Sequence, residues 1–246
     1  MKLTNTLIAL ACAAVPAAAL AQDKPDGQWH GNFSLGASLA RGNSESTNLG
    51  ANADTARATQ QDKLSYYASA AYGESKTGGV KTRSANLLRG GGRYEWNIDP
   101  KLFAFGSADL ERDGLVDLDL RAVVGGGLGY YLVKDKATTF QVFGGAAWTG
   151  ESYSGNGKDR NYATLILGEE SAHALSETTS FKQRLVVYPD LDKTGEYRAT
   201  FDAMVSSKLG GNWTLNVSAG SRYNSLPPAG TKSTDTVFLV GIGTKF

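Results

Sequence analysis

The chain of 246 residues holds one cysteine, Cys12, and two histidines, His30 and His173. The cysteine falls in the opening stretch MKLTNTLIALACAAVPAAALAQ, with its basic Lys2, an apolar run from Leu7 to Ala18, and small residues Ala19 and Ala21 around Leu20. That is the build of a secretory signal with an A-x-A cleavage site, so residues 1–21 are expected to be removed and residues 22–246 to form the mature domain. The mature chain then has no thiol. Disulfides and a cysteine nucleophile are excluded, and export to an oxidising compartment fits.

Long apolar runs are missing too. The leader's run is short and interrupted by Pro16, and no later stretch offers the roughly 20 consecutive apolar residues that a membrane-spanning helix needs. Charge of one sign is also missing: once Lys2 leaves with the leader, 24 Lys and Arg face 24 Asp and Glu. Nucleic acid is therefore not an expected partner, because binding it needs a basic patch or stripe. No Pro/Gly/Ser-rich linker divides the chain, and helical periodicity is absent, so a single all-β domain is the economical reading.

What the chain does have is alternation. From Trp29 onward, stretches of about 10 to 15 residues alternate apolar and polar side chains and stop at short breaks rich in Gly, Asn, Asp, Lys or Pro, the signal of strands and turns. In WTLNVSAGSRYN, Trp213, Leu215, Val217, Ala219 and Tyr223 share one face, while Thr214, Asn216, Ser218, Arg222 and Asn224 share the other. Twelve such segments are predicted, at 28–41, 46–59, 62–75, 80–96, 101–113, 118–134, 137–150, 160–174, 178–190, 195–209, 212–225 and 232–246. Breaks after the odd-numbered segments tend to be longer, as in GESYSGNGKDRN and NSLPPAGTKS; those after the even-numbered ones are tight, as in NIDP, KDKA and LSET.

Short turns on one side and longer loops on the other, with even strand number, describe an outer-membrane β-barrel. A soluble sandwich or lipocalin-like barrel would have to fill its interior with the apolar faces, and twelve strands enclose more space than that packing can occupy. In a bilayer the pattern inverts, with apolar side chains toward lipid and polar ones toward the lumen. Aromatics gather at segment ends as interfacial girdles should: Trp29, Trp96, Phe103, Phe181, Trp213 and Phe246 on the short-turn side, Tyr72, Trp148, Tyr153, Tyr188 and Tyr223 on the other. The expected location is the bacterial outer membrane, with its lipid as solvent and a monomer as the expected state.

The chain ends FLVGIGTKF, with Phe238, Val240, Ile242 and Phe246 at alternate positions. A terminal aromatic preceded by such alternation resembles the signal read by the barrel assembly machinery, the one partner expected during biogenesis. Thr244 interrupts the pattern.

For the lumen, parity selects Arg89 and Arg93 in the fourth segment, Asp109 and Glu111 in the fifth, Arg121 in the sixth, Arg184 in the ninth, Arg198 and Asp202 in the tenth and Arg222 in the eleventh. The sixth is read with Leu118 outward and Asp119 inward. Acids on one strand between bases on its neighbours favour cross-strand ion pairs, and DGLVDLDL lacks the calcium-loop pattern, so no metal site is assigned. Lys182, Arg184, Arg198, Lys208 and Arg222 make the opposite wall basic. The inner charges could then act as a transverse field on a permeating ion, or zip the lumen shut.

No cofactor site is expected. The run GGGLGYYL lacks the glycine spacing of a dinucleotide loop and opens no helix. Ser171 and His173 share a face, which invites comparison with lipid hydrolases, but no nucleophile elbow surrounds Ser171 and no orienting group is placed, so the protein is read as non-enzymatic.

Several short motifs resemble one family: Trp29-His30-Gly31 with Arg41-Gly42-Asn43, Arg93-Tyr94, Glu111-Arg112-Asp113, and Gly127-Leu128-Gly129-Tyr130. On these the chain is similar to the salt-induced outer-membrane proteins, domain-of-unknown-function family 481. The resemblance implies an outer-membrane barrel without a defined biochemical role. The expected activity is passage of small ions or solutes through a narrow charged lumen, and the alternative is a closed, salt-bridged barrel serving envelope integrity.

Overall fold

The computed structural model describes residues 25–40, 44–77, 80–154, 158–227 and 232–246. The proposed leader and the Arg41-Gly42-Asn43 motif lie outside them. Twelve strands run in order: β1 (Trp29–Ala40), β2 (Ser44–Ala58), β3 (Asp62–Thr77), β4 (Val80–Asn97), β5 (Leu102–Asp113), β6 (Leu118–Lys134), β7 (Thr138–Tyr153), β8 (Arg160–Ala174), β9 (Thr179–Pro189), β10 (Tyr197–Gly210), β11 (Trp213–Asn224) and β12 (Thr234–Lys245). Each strand pairs antiparallel with its sequence neighbours, and β12 pairs with β1, closing a barrel. Every predicted segment corresponds to one strand, with ends displaced by at most three residues.

The tight turns share one device. Asp99 accepts the backbone N–H groups of Lys101 and Leu102, Asp135 those of Ala137 and Thr138, and Ser176 those of Thr178 and Thr179. A short polar side chain that satisfies donors two and three residues ahead lets the chain reverse without a loop. Those donors hold the exposed Asp99 carboxyl below its usual range, with the Lys101 N–H the larger cause and Leu102 the next.

The outer wall is apolar. Leu35, Leu88, Leu110, Val124, Leu128, Trp148, Leu167, Phe238, Val240 and Ile242 are all exposed. A continuous apolar surface of this extent suits lipid and not water. Girdle residues stack on it: Trp29 against Tyr66 at 6.0 Å near the tight turns, Tyr197 against Tyr223 at 5.2 Å near the longer loops.

Three predicted girdle residues face the other way. Phe103 is fully buried inside the barrel against Tyr131, Tyr153 donates its hydroxyl to the lumen carboxylate of Glu151, and Tyr188 packs on the interior cluster. Parity decides this for Phe103, since it shares a face with Asp109 and Glu111.

The sixth strand holds a second correction. A register shift between Leu118 and Leu120 turns Leu118 inward, where it is 1% exposed, and leaves Asp119 exposed. A bulge adds one residue and reverses parity beyond it.

The interior has one apolar sector. Phe103, Phe105, Val123, Tyr131, Phe143, Ala147, Ile166 and Val186 fill the barrel along β5–β9. Glycines make the room: a Cβ at Gly129 would enter the Phe103 ring, and one at Gly168 would enter that of Phe143. The sector formed by β11, β12, β1, β2 and β3 is instead lined largely by small polar residues, among them Asn32, Ser34, Asn52, Ser69 and Asn216.

Candidate functional site

All nine predicted lumen residues face inward, and most of them meet. Glu111 sits in register between Arg89 on β4 and Arg121 on β6. Its carboxylate pairs with Arg89 Nε at 3.1 Å and with Arg121 Nη1. Arg121 Nε reaches Glu151 on β7 at 2.8 Å, and Glu151 lies 3.8 Å from Arg198 on β10. The other end of this chain also returns to β10: Arg89 Nη1 crosses the lumen to Asp202 at 3.4 Å, and Arg222 closes on Asp202 at 2.5 Å.

The result is a circuit of alternating charge that starts and ends on β10. Asp202–Arg89 is its crossing bar, joining β4 to β10 through the lumen. On one side of that bar lies the aromatic sector; on the other lies the small polar one. Above the circuit, toward the longer loops, a small recess of about 50 Å³ is lined in part by Glu111, Asp113, Arg198, Arg222 and Asp235.

Arg93 belongs to the packed sector. Its guanidinium carbon lies 4.2 Å from the Phe105 ring centre and 4.4 Å from that of Phe143, with Glu95 at 3.1 Å. Its guanidinium nitrogens have no hydrogen-bond partner among the described residues, so the ring faces and the neighbouring carboxylate offset its desolvation. Arg184 lies 5.5 Å from the Phe143 ring centre and stands in register between Glu170 and Asp202. Asp109 accepts a 2.6 Å hydrogen bond from Tyr67 on β3, which reaches it over Gly91.

The acidic and basic walls expected from the sequence are thus interleaved by Arg89. Where charges come within reach they pair, so this part of the lumen carries ion pairs in place of a separated field. Lower down, Lys182 on β9 faces Asp54 on β2 at 4.0 Å across the barrel, and both are about half exposed, as is Asp202.

Two members of this site were not selected from sequence. The alternation ends the seventh segment at residue 150 and places Glu151 in a loop, whereas β7 continues to Tyr153. The missed signal is GESY, where Glu151 and Tyr153 continue the inward parity of Thr149. Tyr67 was missed because an inward aromatic among serines carries no mark of its hydrogen bond.

Ser171 and His173 face outward on β8, since their neighbour Glu170 is in register with inward Gln141 and Arg184. Ser171 Oγ has no hydrogen-bond partner among the described residues, and His173 Nδ1 lies 3.2 Å from Thr138 Oγ1. No hydrogen bond joins the serine to the imidazole. Among the described residues no group of His, Cys, Asp and Glu is placed to hold a metal ion.

Solved structures of similar fold include the NanC porin (TM-score 0.51, 9% identity, covering 87% of this chain and 100% of that one). Another is an outer membrane channel from Pseudomonas putida F1 (TM-score 0.50, 11% identity, covering 92% and 100%). At such identities the likeness concerns the fold. No match is found among curated proteins. The family described as "Protein of unknown function, DUF481" matches residues 33–246, which hold the whole barrel but the first four residues of β1, and the chain belongs to this family.

Proposed function

We propose that the protein is a narrow passive conduit for small ions or solutes across the outer membrane, with its path confined to the small polar sector. The observation that carries this reading is the half-exposed state of Asp202, Lys182 and Asp54 inside the barrel, at 48%, 48% and 40%. Charges that water reaches in mid-lumen can act on a passing ion, whereas those of the packed sector cannot. The two similar barrels are described as a porin and an outer membrane channel, which supports the same class of activity.

Single-channel recording of the purified barrel in a planar bilayer tests it. Discrete steps are expected, with Asp202→Asn shifting reversal potentials toward anions and Lys182→Gln toward cations. A silent bilayer containing demonstrably folded protein would move the reading to the second one, a closed barrel that serves the envelope mechanically. The Arg89–Asp202 bar favours that alternative. Lipid hydrolysis is not proposed. A Ser171→Ala, His173→Ala double variant is expected to leave any hydrolytic signal of the preparation unchanged.

A further inference from the structure

We propose that the outward face of β3–β5, at the end of the barrel bearing the longer loops, binds a phosphate-bearing glycolipid of the outer leaflet. The site has an apolar and a cationic part, and it does not depend on whether the lumen conducts.

The apolar part is a groove of about 670 Å³ on the outside of the wall. Small side chains at Ala37, Ala51 and Ala70 lower its floor, while Leu35, Leu49 and Leu88 stand around it, each more than half exposed. A groove at this height lies against acyl chains.

The cationic part caps it. Arg112 lines the groove and is in register with outward Leu88. Tyr72 and Asn86, also lining it, are in register with each other. The Arg83 guanidinium lies 5.6 Å over the Tyr72 ring, which puts it on the same outward face. Two residues farther along, Lys81 continues that face and stands directly opposite Lys76.

The described acids of this face and its β6 edge are Glu74, which stands opposite Arg83 and accepts the Tyr72 hydroxyl at 2.7 Å, and Asp119, which the β6 bulge leaves exposed in the stretch opposite Arg112. Like charges directly opposite each other on a sheet repel. Lys76, Lys81, Arg83 and Arg112 outnumber these two carboxylates beside the apolar groove, and an anion relieves the surplus.

Phosphate is the anion that fits. Arg presents paired N–H donors to its oxygens, and Lys supplies a point charge. Tyr72 and Asn86 add neutral polar groups between the cations and the groove, at the level of a sugar headgroup. A lipid with several acyl chains, a sugar core and phosphates would meet groove, amide and cations together.

The test uses the folded barrel in detergent micelles and follows its heat-induced unfolding by electrophoretic mobility and circular dichroism. The probes are diphosphorylated lipid A, its dephosphorylated form and inorganic phosphate, applied to the wild type and to a Lys81→Gln, Arg83→Gln, Arg112→Gln variant. The phosphorylated lipid is expected to raise the wild-type unfolding temperature. Half-saturation should be weaker in the variant by about tenfold or more, as the loss of charge-assisted hydrogen bonds implies. Inorganic phosphate should have no effect.

Equal stabilisation by the dephosphorylated lipid would overturn the proposal in favour of a merely greasy groove, and equal stabilisation by inorganic phosphate would leave only a free-anion site. Equal response of the variant would overturn it as well. Should the variant fail to fold, the comparison of the two lipids on the wild type decides alone.

Discussion

At the scale of single residues, the lumen shows how a buried charge survives in a barrel: it is held from two sides. Arg121 is the central case, with Nη1 on Glu111 and Nε on Glu151, all three side chains at most 14% exposed. Arg121→Leu takes from Glu111 and Glu151 one cation each, leaving them Arg89 and Arg198, and the loss of charge-assisted hydrogen bonds is expected to cost about 1.5–3 kcal/mol, read from urea unfolding in micelles. Arg121→Lys should recover little of it, because one ammonium cannot reproduce a guanidinium that addresses two carboxylates along separate N–H directions. The apolar sector is equally exacting. Gly129→Ala drives a methyl into the Phe103 ring, and overpacking there should cost about 1–3 kcal/mol in the same assay. Arg89, Arg121 and Glu111 were readable from the sequence because parity alone puts them inside. Glu151 was not, since a glycine-rich stretch that reads as loop begins beside it at Gly150 and the strand outlasts its own alternation.

At the scale of strands, legibility followed regularity. Alternation assigned all twelve strands, and it failed locally at the start of β6, where a bulge carries Leu118 inside and Asp119 out. A bulge has no period, so alternation cannot announce it. The closing seam is the other special place. Among the described residues, Asn32–Gly36 of β1 pair with Gly241–Lys245 of β12, extended by reciprocal backbone hydrogen bonds between Gly31 and Phe246. At Gly241 a Cβ would press on the Leu35 carbonyl. Gly241→Val is therefore expected to reduce the heat-modifiable folded band and lower the urea midpoint, while Val240→Ile, on the lipid face of the same strand, should leave both unchanged. The outward residues Phe238, Val240, Ile242 and Phe246 remain the proposed assembly signal. The Phe246 ring also covers Gly31 of β1, where a Cβ would run into it, so Phe246→Ala should impair closure in refolded protein as well as delivery in cells.

At the scale of the whole molecule, the barrel is divided lengthwise into a packed half and a polar half, and the Arg89–Asp202 contact stands at the division. Sequence parity could place both residues inside but could not bring them together, because a contact between β4 and β10 depends on barrel diameter and side-chain reach. That contact decides between conduit and closed barrel. Asp202 is held by Arg222 as well, and Glu111 by Arg121, so removing Arg89 leaves each acid one cation and opens the crossing. If the polar half conducts, Arg89→Gln should raise the step conductance and strengthen cation preference, since Asp202 and Glu111 each lose a countercharge. A variant of equal charge loss on the lipid face, Arg57→Gln, should leave the steps unchanged. Were Arg89→Gln and wild type to give the same silent trace with folded protein in the bilayer, the small polar sector would be closed along its length, and the ion pairs would then be read as struts holding a rigid cylinder in the membrane.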